Sequence, residues 1–169
     1  MEEMTAARRK GLPFNSPLET GIRSVGVLAA LHPKAFDLQR MVAFDYLVVH
    51  TADVGGPSSL HPELPLRSAE LLVRRELVER GLHLMMTREL VDRLVDKSGI
   101  VYRAGEMAEV FLSTLTSEYM SLLQLRAKWV AEIFGEMDDN EFRTLMRDNF
   151  DKWVEQFHVI QKSSAGGAS

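Results

Sequence analysis

Apolar residues recur at spacings of three and four along most of this 169-residue chain. Such spacing places apolar side chains on one face of an α-helix. From Leu90 the period changes, and apolar and polar residues alternate on either side of the Lys97-Ser98-Gly99 turn as far as Arg103. Alternation around a glycine-containing turn indicates a β-hairpin. We therefore expect a mainly helical protein with one small hairpin.

The first helix has a clear start. Ser16 can cap it, Pro17 occupies a position that needs no amide hydrogen, and Glu19 can reach back to the cap. Pro33 disfavours a helical residue before it, so we expect this helix to end near Leu31.

Two more helices are predicted before the hairpin. One runs from about Phe36 to Thr51, and the next begins at Ser68, with Gly81 either its C-terminal stop or a tolerated interior glycine. The residues expected to point inward from the three helices are Leu18, Ile22, Val25 and Ala29; Leu38, Met41, Val42, Val48 and Val49; and Leu71, Leu72, Leu77 and Val78.

Helical spacing resumes after the hairpin. It predicts a short helix from Glu106 to Leu115, and then an antiparallel pair that begins at Ser117 and ends near Val159. Helices, a hairpin and more helices follow the order of a winged helix-turn-helix with an extra N-terminal helix and a C-terminal helix pair. The expected division is a flexible tail over 1–15, a winged-helix-like domain over 16–116, the helix pair over 117–160 and a disordered tail over 161–169.

Composition excludes several classes of protein. Hydrophobic residues make up 46% and charged residues 26%, as in ordinary globular chains. The longest apolar or glycine run, Val25 to Leu31, is far shorter than the roughly 20 residues of a membrane-spanning helix. The absence of cysteine rules out disulfides and thiolate sites and is consistent with the cytoplasm, where we expect the protein. The net charge of −4 means that any DNA contact must be local.

A metal site is one interpretation of His50, Asp53 and His61, which lie within twelve residues. Their spacing matches no ligand signature, and loops rich in glycine and proline often use His and Asp for turn hydrogen bonds. We therefore favour a loop-organising role and expect no metal and no cofactor.

Asp45 is predicted to be buried, because apolar residues flank it on its own helical face. A buried carboxylate needs a partner, and the candidates are Arg74 and Arg75 on the third helix and Arg67 near its start. A structural ion pair that fixes how the helices dock is the favoured interpretation; a catalytic acid lacks a nucleophile or base nearby.

Two surfaces are candidates for binding partners. Basic residues gather around the hairpin, where a wing could contact DNA phosphate, although acidic residues interleave with them; they are Arg88, Arg93, Lys97 and Arg103. Aromatic residues gather in the C-terminal helices, where core packing explains most of them and a protein interface is the functional alternative; the interface candidates are Trp129, Phe150, Trp153 and Phe157.

Several runs of residues bear a resemblance to a known family. They are Phe14-Asn15-Ser16-Pro17-Leu18-Glu19, Phe36-Asp37-Leu38-Gln39-Arg40, Asp45-Tyr46-Leu47-Val48-Val49-His50, Asp53-Val54-Gly55-Gly56-Pro57, Ser59-Leu60-His61-Pro62, Arg67-Ser68-Ala69-Glu70-Leu71-Leu72-Val73-Arg74-Arg75, Glu79-Arg80-Gly81-Leu82 and Gly99-Ile100-Val101-Tyr102-Arg103. Over about residues 14–134 the chain resembles the second type of middle component of ABC three-component systems.

The resemblance implies a small bacterial protein without enzymatic activity. It would be an adaptor that bridges or regulates a large SMC-like ABC ATPase and an effector in an anti-phage system, with DNA contact inside the complex and a homodimer as further expectations. The sequence itself has no GxxxxGK[ST], GxSxG, GxGxxG or HExxH motif. The alternatives are a winged-helix DNA-binding regulator and, third, a metal-dependent hydrolase built on His50, Asp53 and His61.

Overall fold

The computed structural model of the chain describes the backbone of residues 16–62 and 68–150, with side chains for 16–62 and 71–150. This part is mainly helical with one small two-stranded antiparallel sheet, as the apolar periods predict. Its elements are α1 (Pro17–Leu31), α2 (Leu38–Val49), a short 3₁₀ helix (Thr51–Val54), α3 (Ser68–Met86), β1 (Val91–Asp96), β2 (Gly99–Ala104), α4 (Ala108–Ser113), α5 (Glu118–Phe134) and α6 (Asp139–Asn149).

Side-chain caps fix where helices begin. The Ser16 hydroxyl accepts a hydrogen bond from the Glu19 amide at 3.2 Å, which confirms the predicted start of α1. Asp37 caps α2, and Asp138 forms a capping box with Glu141 at the start of α6. Each cap satisfies an amide that would otherwise lack a partner in the first helical turn.

The second helix ends before its predicted boundary, and the third helix decides between the two roles left open for Gly81. α2 stops at Val49, because His50 leaves helical geometry and Thr51 begins the 3₁₀ helix. α3 continues through Gly81 to Met86, so Gly81 is an interior glycine. A Cβ on Gly81 would lie 2.6 Å from the backbone nitrogen of Gly21. The missing side chain therefore lets α1 and α3 cross closely.

The hairpin is held to the helices through the outer edge of β2. β1 and β2 pair with Arg93 opposite Tyr102 and Val95 opposite Ile100. Phe36 forms an isolated bridge to Tyr102, in which each residue's amide donates to the other's carbonyl at 2.9 and 2.7 Å. The outer edge of β2 is thus partly covered by the segment before α2.

One hydrophobic core draws on all six helices and both strands. Among its members are Val25, Leu28, Phe44, Leu47, Val78, Leu82, Val91, Tyr102, Leu112, Leu123, Phe134, Phe142 and Met146. None of the described helices is long and apolar enough to cross a membrane.

The inward positions predicted for Leu18 and Leu72 are wrong, since their side chains are 52% and 48% exposed. α1 is buried on most of its sides only from Thr20 onward, so Leu18 lies before the packed region. In α3 the buried line runs through Leu71 and Val78, and Leu72 is turned about 100° away from it.

Candidate interaction site: a buried ionic network and its loop

A buried carboxylate joins three helices. The Nε and Nη2 atoms of Arg23 on α1 donate to the two carboxylate oxygens of Asp45 on α2 at 2.7 and 3.2 Å. Nη1 of Arg74 on α3 donates to Oδ2 of the same carboxylate at 2.5 Å. Asp45 therefore joins the three helices through a bidentate contact with Arg23 and a single contact with Arg74. Charged hydrogen bonds of this kind are stronger than neutral ones.

This network lies almost wholly out of solvent. Asp45 and Arg23 are each 2% exposed. Burial alone raises the pKa of Asp45, but the charges and hydrogen bonds of Arg23 and Arg74 outweigh it and hold that pKa below its ordinary value. Burial opposes the charge of Arg23 as well, and Asp45 outweighs it, so the pKa of Arg23 is raised. Both partners are ionised at neutral pH.

Arg74 is among the partners that the sequence predicts for Asp45, and Arg23 is not. Arg75 does not pair with Asp45; its Nε is buried and makes no hydrogen bond within the described residues. Arg67 lies outside the described residues. Helical spacing does not predict Arg23 as a partner, because Thr20 and Ser24 beside it in α1 are polar and mark that side of the helix as exposed, although all three residues are buried.

Two histidines and two tyrosines surround the network. His61 Nε2 lies 2.9 Å from the Tyr119 hydroxyl, and Tyr46 donates its hydroxyl hydrogen to Asp53 Oδ2 at 2.9 Å. Burial, followed by the positive charge of Arg23, lowers the pKa of His61 to about 4. His61 is therefore neutral at pH 7.

Within the described residues no three His, Asp or Glu side chains come together as a metal-binding group. The ring centroids of His50 and His61 are 6.2 Å apart, and the Asp53 carboxylate accepts a hydrogen bond from the Tyr46 hydroxyl. The metal-dependent hydrolase hypothesis thus has no site in this part of the chain.

The glycine- and proline-containing loop after α2 is ordered by its own hydrogen bonds. The Thr51 hydroxyl donates to the Pro57 carbonyl at 2.7 Å, and the amides of Leu60 and His61 both donate to the Val49 carbonyl at 3.1 Å. Gly55 has a φ of +78°, a conformation that favours glycine. These contacts fold the loop back onto the end of α2.

The same loop is clamped against α5. Arg126 donates from Nε to the Ser58 carbonyl at 3.0 Å. Trp129 lies over Gly56, and a Cβ on that glycine would come within 2.5 Å of the indole ring. The indole also packs edge to face on Phe134, with the ring centroids 5.8 Å apart. Trp129 is therefore half-buried within the protein. The distinctive Gly55-Gly56-Pro57 run thus has a folding role in this structure.

A second buried arginine fastens the turn between α5 and α6. Arg40 of α2 donates to the carbonyls of Phe134 and Met137 at 3.0 and 2.8 Å and to the Asp139 carboxylate at 3.0 Å. Its guanidinium also stacks 4.0 Å from the ring centroid of Phe142. The sequence does not predict this contact, because helical spacing does not mark an arginine that satisfies distant carbonyls.

The basic residues of the hairpin do not share one face. In an antiparallel pair, directly opposite residues lie on the same face and successive residues on opposite faces. Arg93 and Arg103 are therefore on opposite faces, since Arg103 is opposite Asp92 and lies 3.4 Å from its carboxylate. Arg88 and Lys97 are exposed.

Of the remaining aromatic candidates, Phe150 is half-buried with its ring 5.1 Å from Tyr46, edge to face. Trp153 and Phe157 lie outside the described residues. Their proposed role at an interface stays a prediction.

These observations define a mainly helical protein whose buried charges join its own helices and the turn between α5 and α6. A family model for the ABC three-component (ABC-3C) system Middle Component 2 matches residues 13–156, and the chain belongs to this family. The resemblance found in the sequence is thereby confirmed. Neither the curated proteins nor the solved structures contained a match to this chain.

Proposed function

We propose that this protein is a non-enzymatic accessory subunit that bridges or regulates an SMC-like ABC ATPase and its effector in a cytoplasmic anti-phage complex. Family membership carries the proposal, since a middle component of a multi-component ABC system has partner components. The SMC-like nature of the ATPase, the effector and the anti-phage role extend what the family resemblance implies.

The internal architecture suits a rigid subunit that holds other proteins in place. Asp45, Arg40 and the loop on α5 each tie segments that are distant in sequence. Removing one partner of such a buried pair is strongly destabilising, so these contacts hold the helices in one relative position. We further propose that α1 to α3 and the hairpin form a winged-helix core, with the C-terminal helices as a pair beside it.

A free-standing DNA-binding regulator is supported less well. The cations of the hairpin are divided between its two faces, and Arg103 is opposed by Asp92. Acidic Glu76 and Glu79 are exposed on α3, the helix that would read DNA in a winged-helix regulator. Negative charge on a reading helix opposes approach to phosphate.

Co-expression with the ABC ATPase and the effector encoded beside it tests the proposal. We expect a stable complex on size-exclusion chromatography and an ATPase rate that changes when this subunit is added. A complex that assembles and hydrolyses ATP identically without the subunit would overturn the accessory role.

A further inference from the structure

The outer edge of β1 carries backbone groups that point away from β2. The amide and carbonyl of Tyr102 both bond to Phe36, on the far side of β2 from β1. In an antiparallel ladder, a residue opposite such a position also directs its own amide and carbonyl outward. Arg93 is opposite Tyr102, and Val95 follows two residues later. The outward groups of β1 therefore include those of Arg93 and Val95.

This edge is open in the part of the chain that the structure describes. No backbone hydrogen bond from Arg93 or Val95 reaches outside the hairpin there. Val95 is 75% exposed, and Ile100 beside it on the same face is 43% exposed. An unpaired strand edge with an apolar pair next to it is a template for another strand.

Charge argues against a second copy of the same strand. Two-fold-related strands would pair antiparallel, and directly opposed like charges destabilise such a pair. Centring the pair on Asp92 or Arg93 sets that residue against its own copy. Centring it on Leu94 sets Asp92 against Asp96, and centring it on Val95 brings Arg93 next to Lys97, the first residue of the turn. Every one of these registers brings like charges together.

We propose that the β1 edge binds an extended segment of another protein component of the complex by main-chain pairing. This inference rests on the proposed accessory function. The complementary segment carries an acidic residue opposite Arg93 and an apolar residue opposite Val95, with a basic residue on its other face to meet Asp96. The backbone groups supply affinity, and the alternating charges choose the partner and its register.

Val95→Pro tests the main-chain contact directly. Proline removes the outward amide of Val95, which contributes nothing to the pairing of β1 with β2, so the hairpin is expected to fold. Ile100→Pro is the matched control, because it removes the outward amide of the opposite residue on the other edge. Circular dichroism melting curves establish that both variants are folded.

Binding is measured with the purified ABC ATPase and the purified effector encoded beside this protein. We expect Val95→Pro to weaken one of these interactions at least about tenfold, with Ile100→Pro close to the wild type. Hydrogen exchange at the Arg93 and Val95 amides should also slow in the complex. If Val95→Pro does not fold, Arg93→Glu decides, and we expect it to weaken the same interaction.

The outcomes separate the two proposals. Wild-type affinity in Val95→Pro, or in Arg93→Glu where it decides, would overturn the edge contact and leave the accessory function standing. A wild-type protein that binds neither component would overturn both. A homodimer that Val95→Pro abolishes, with binding to the other components unchanged, would mean that a second copy occupies the edge and would overturn the proposal.

Discussion

At the scale of single residues, the loss of the Asp45 carboxylate is expected to affect stability most. Its carboxylate balances Arg23, which is almost fully buried, and also contacts Arg74. Removing one member of such a group leaves a charge in a place that water cannot reach. The cost of losing Asp45 therefore comes mainly from Arg23.

We predict that Asp45→Ala lowers the free energy of unfolding by about 3–5 kcal/mol. Urea denaturation followed by circular dichroism measures the change. Asp92→Ala is the control, because it breaks the partly exposed pair with Arg103 and should cost no more than about 1 kcal/mol. Equal effects of the two substitutions would contradict the importance of burial.

The histidine beside this network makes stability depend on pH. The pKa of His61 is about 4 in the folded protein, below its ordinary 6.5. Because the folded state resists protonation, its stabilising contribution is complete above pH 6.5 and is lost as the pH falls from 6.5 towards 4. Burial is the main reason that the pKa of His50 is lowered too, so His50 also makes the protein less stable as the pH falls.

We predict that the free energy of unfolding falls between pH 7 and pH 5, and that His61→Gln reduces this slope without abolishing it. Asp45 does not add to the slope in this window, since its pKa is lowered in the folded protein and its ordinary value of 3.8 in the unfolded chain also lies below pH 5. Urea denaturation at both pH values provides the measurement. An identical slope in His61→Gln would show that His61 is protonated as easily in the folded state as in the unfolded one.

At the scale of helices, the crossing of α1 and α3 depends on two small residues. A Cβ on Gly81 would meet the Gly21 nitrogen at 2.6 Å and the Pro17 carbonyl at 2.8 Å. These are backbone atoms, which cannot turn aside as a side chain can. Gly26 of α1 is different, because a Cβ there would lie 4.0 Å from the Ala127 Cβ, an ordinary contact.

We predict opposite effects for the same substitution at these two positions. Gly81→Ala should destabilise the protein by about 1–3 kcal/mol, since the helices must separate to admit the methyl group. Gly26→Ala should be neutral or stabilise it by up to about 1 kcal/mol, because alanine loses less backbone freedom in a helix than glycine. Melting temperatures of the two variants provide the comparison, and stabilisation by Gly81→Ala would contradict the close crossing.

The sequence predicts elements of this protein better than it predicts contacts between them. Local signals such as the Ser16 cap and the alternation around Gly99 depend on neighbouring residues, and they placed α1 and the hairpin correctly. The partners of Asp45 are set by how the helices cross, so Arg74 was one candidate among several and Arg23 was overlooked. Gly81 illustrates the same limit, because its role appears only once Gly21 is known to lie against it.

At the scale of the whole molecule, the distribution of charge disfavours a broad surface for binding nucleic acid. The net charge is −4, and the basic residues of the hairpin are interleaved with Asp92 and Asp96. Cations can contact the same DNA backbone together only when they lie on one face, and Arg93 and Arg103 lie on opposite faces of the hairpin. The isolated protein is therefore expected to bind DNA poorly.

We predict that replacing Arg93, Lys97 and Arg103 together by alanine changes the weak DNA affinity of the isolated protein only slightly. The control removes three exposed cations elsewhere, namely Lys128, Arg143 and Arg147. Fluorescence anisotropy over a range of salt concentrations measures affinity and its salt dependence for both variants. Within the assembled complex the hairpin variant should have the larger effect, because a partner can present DNA to one face of the hairpin. Tight binding by the isolated wild type, with a salt slope that drops by about three contacts in the hairpin variant alone, would contradict this prediction and favour the regulator.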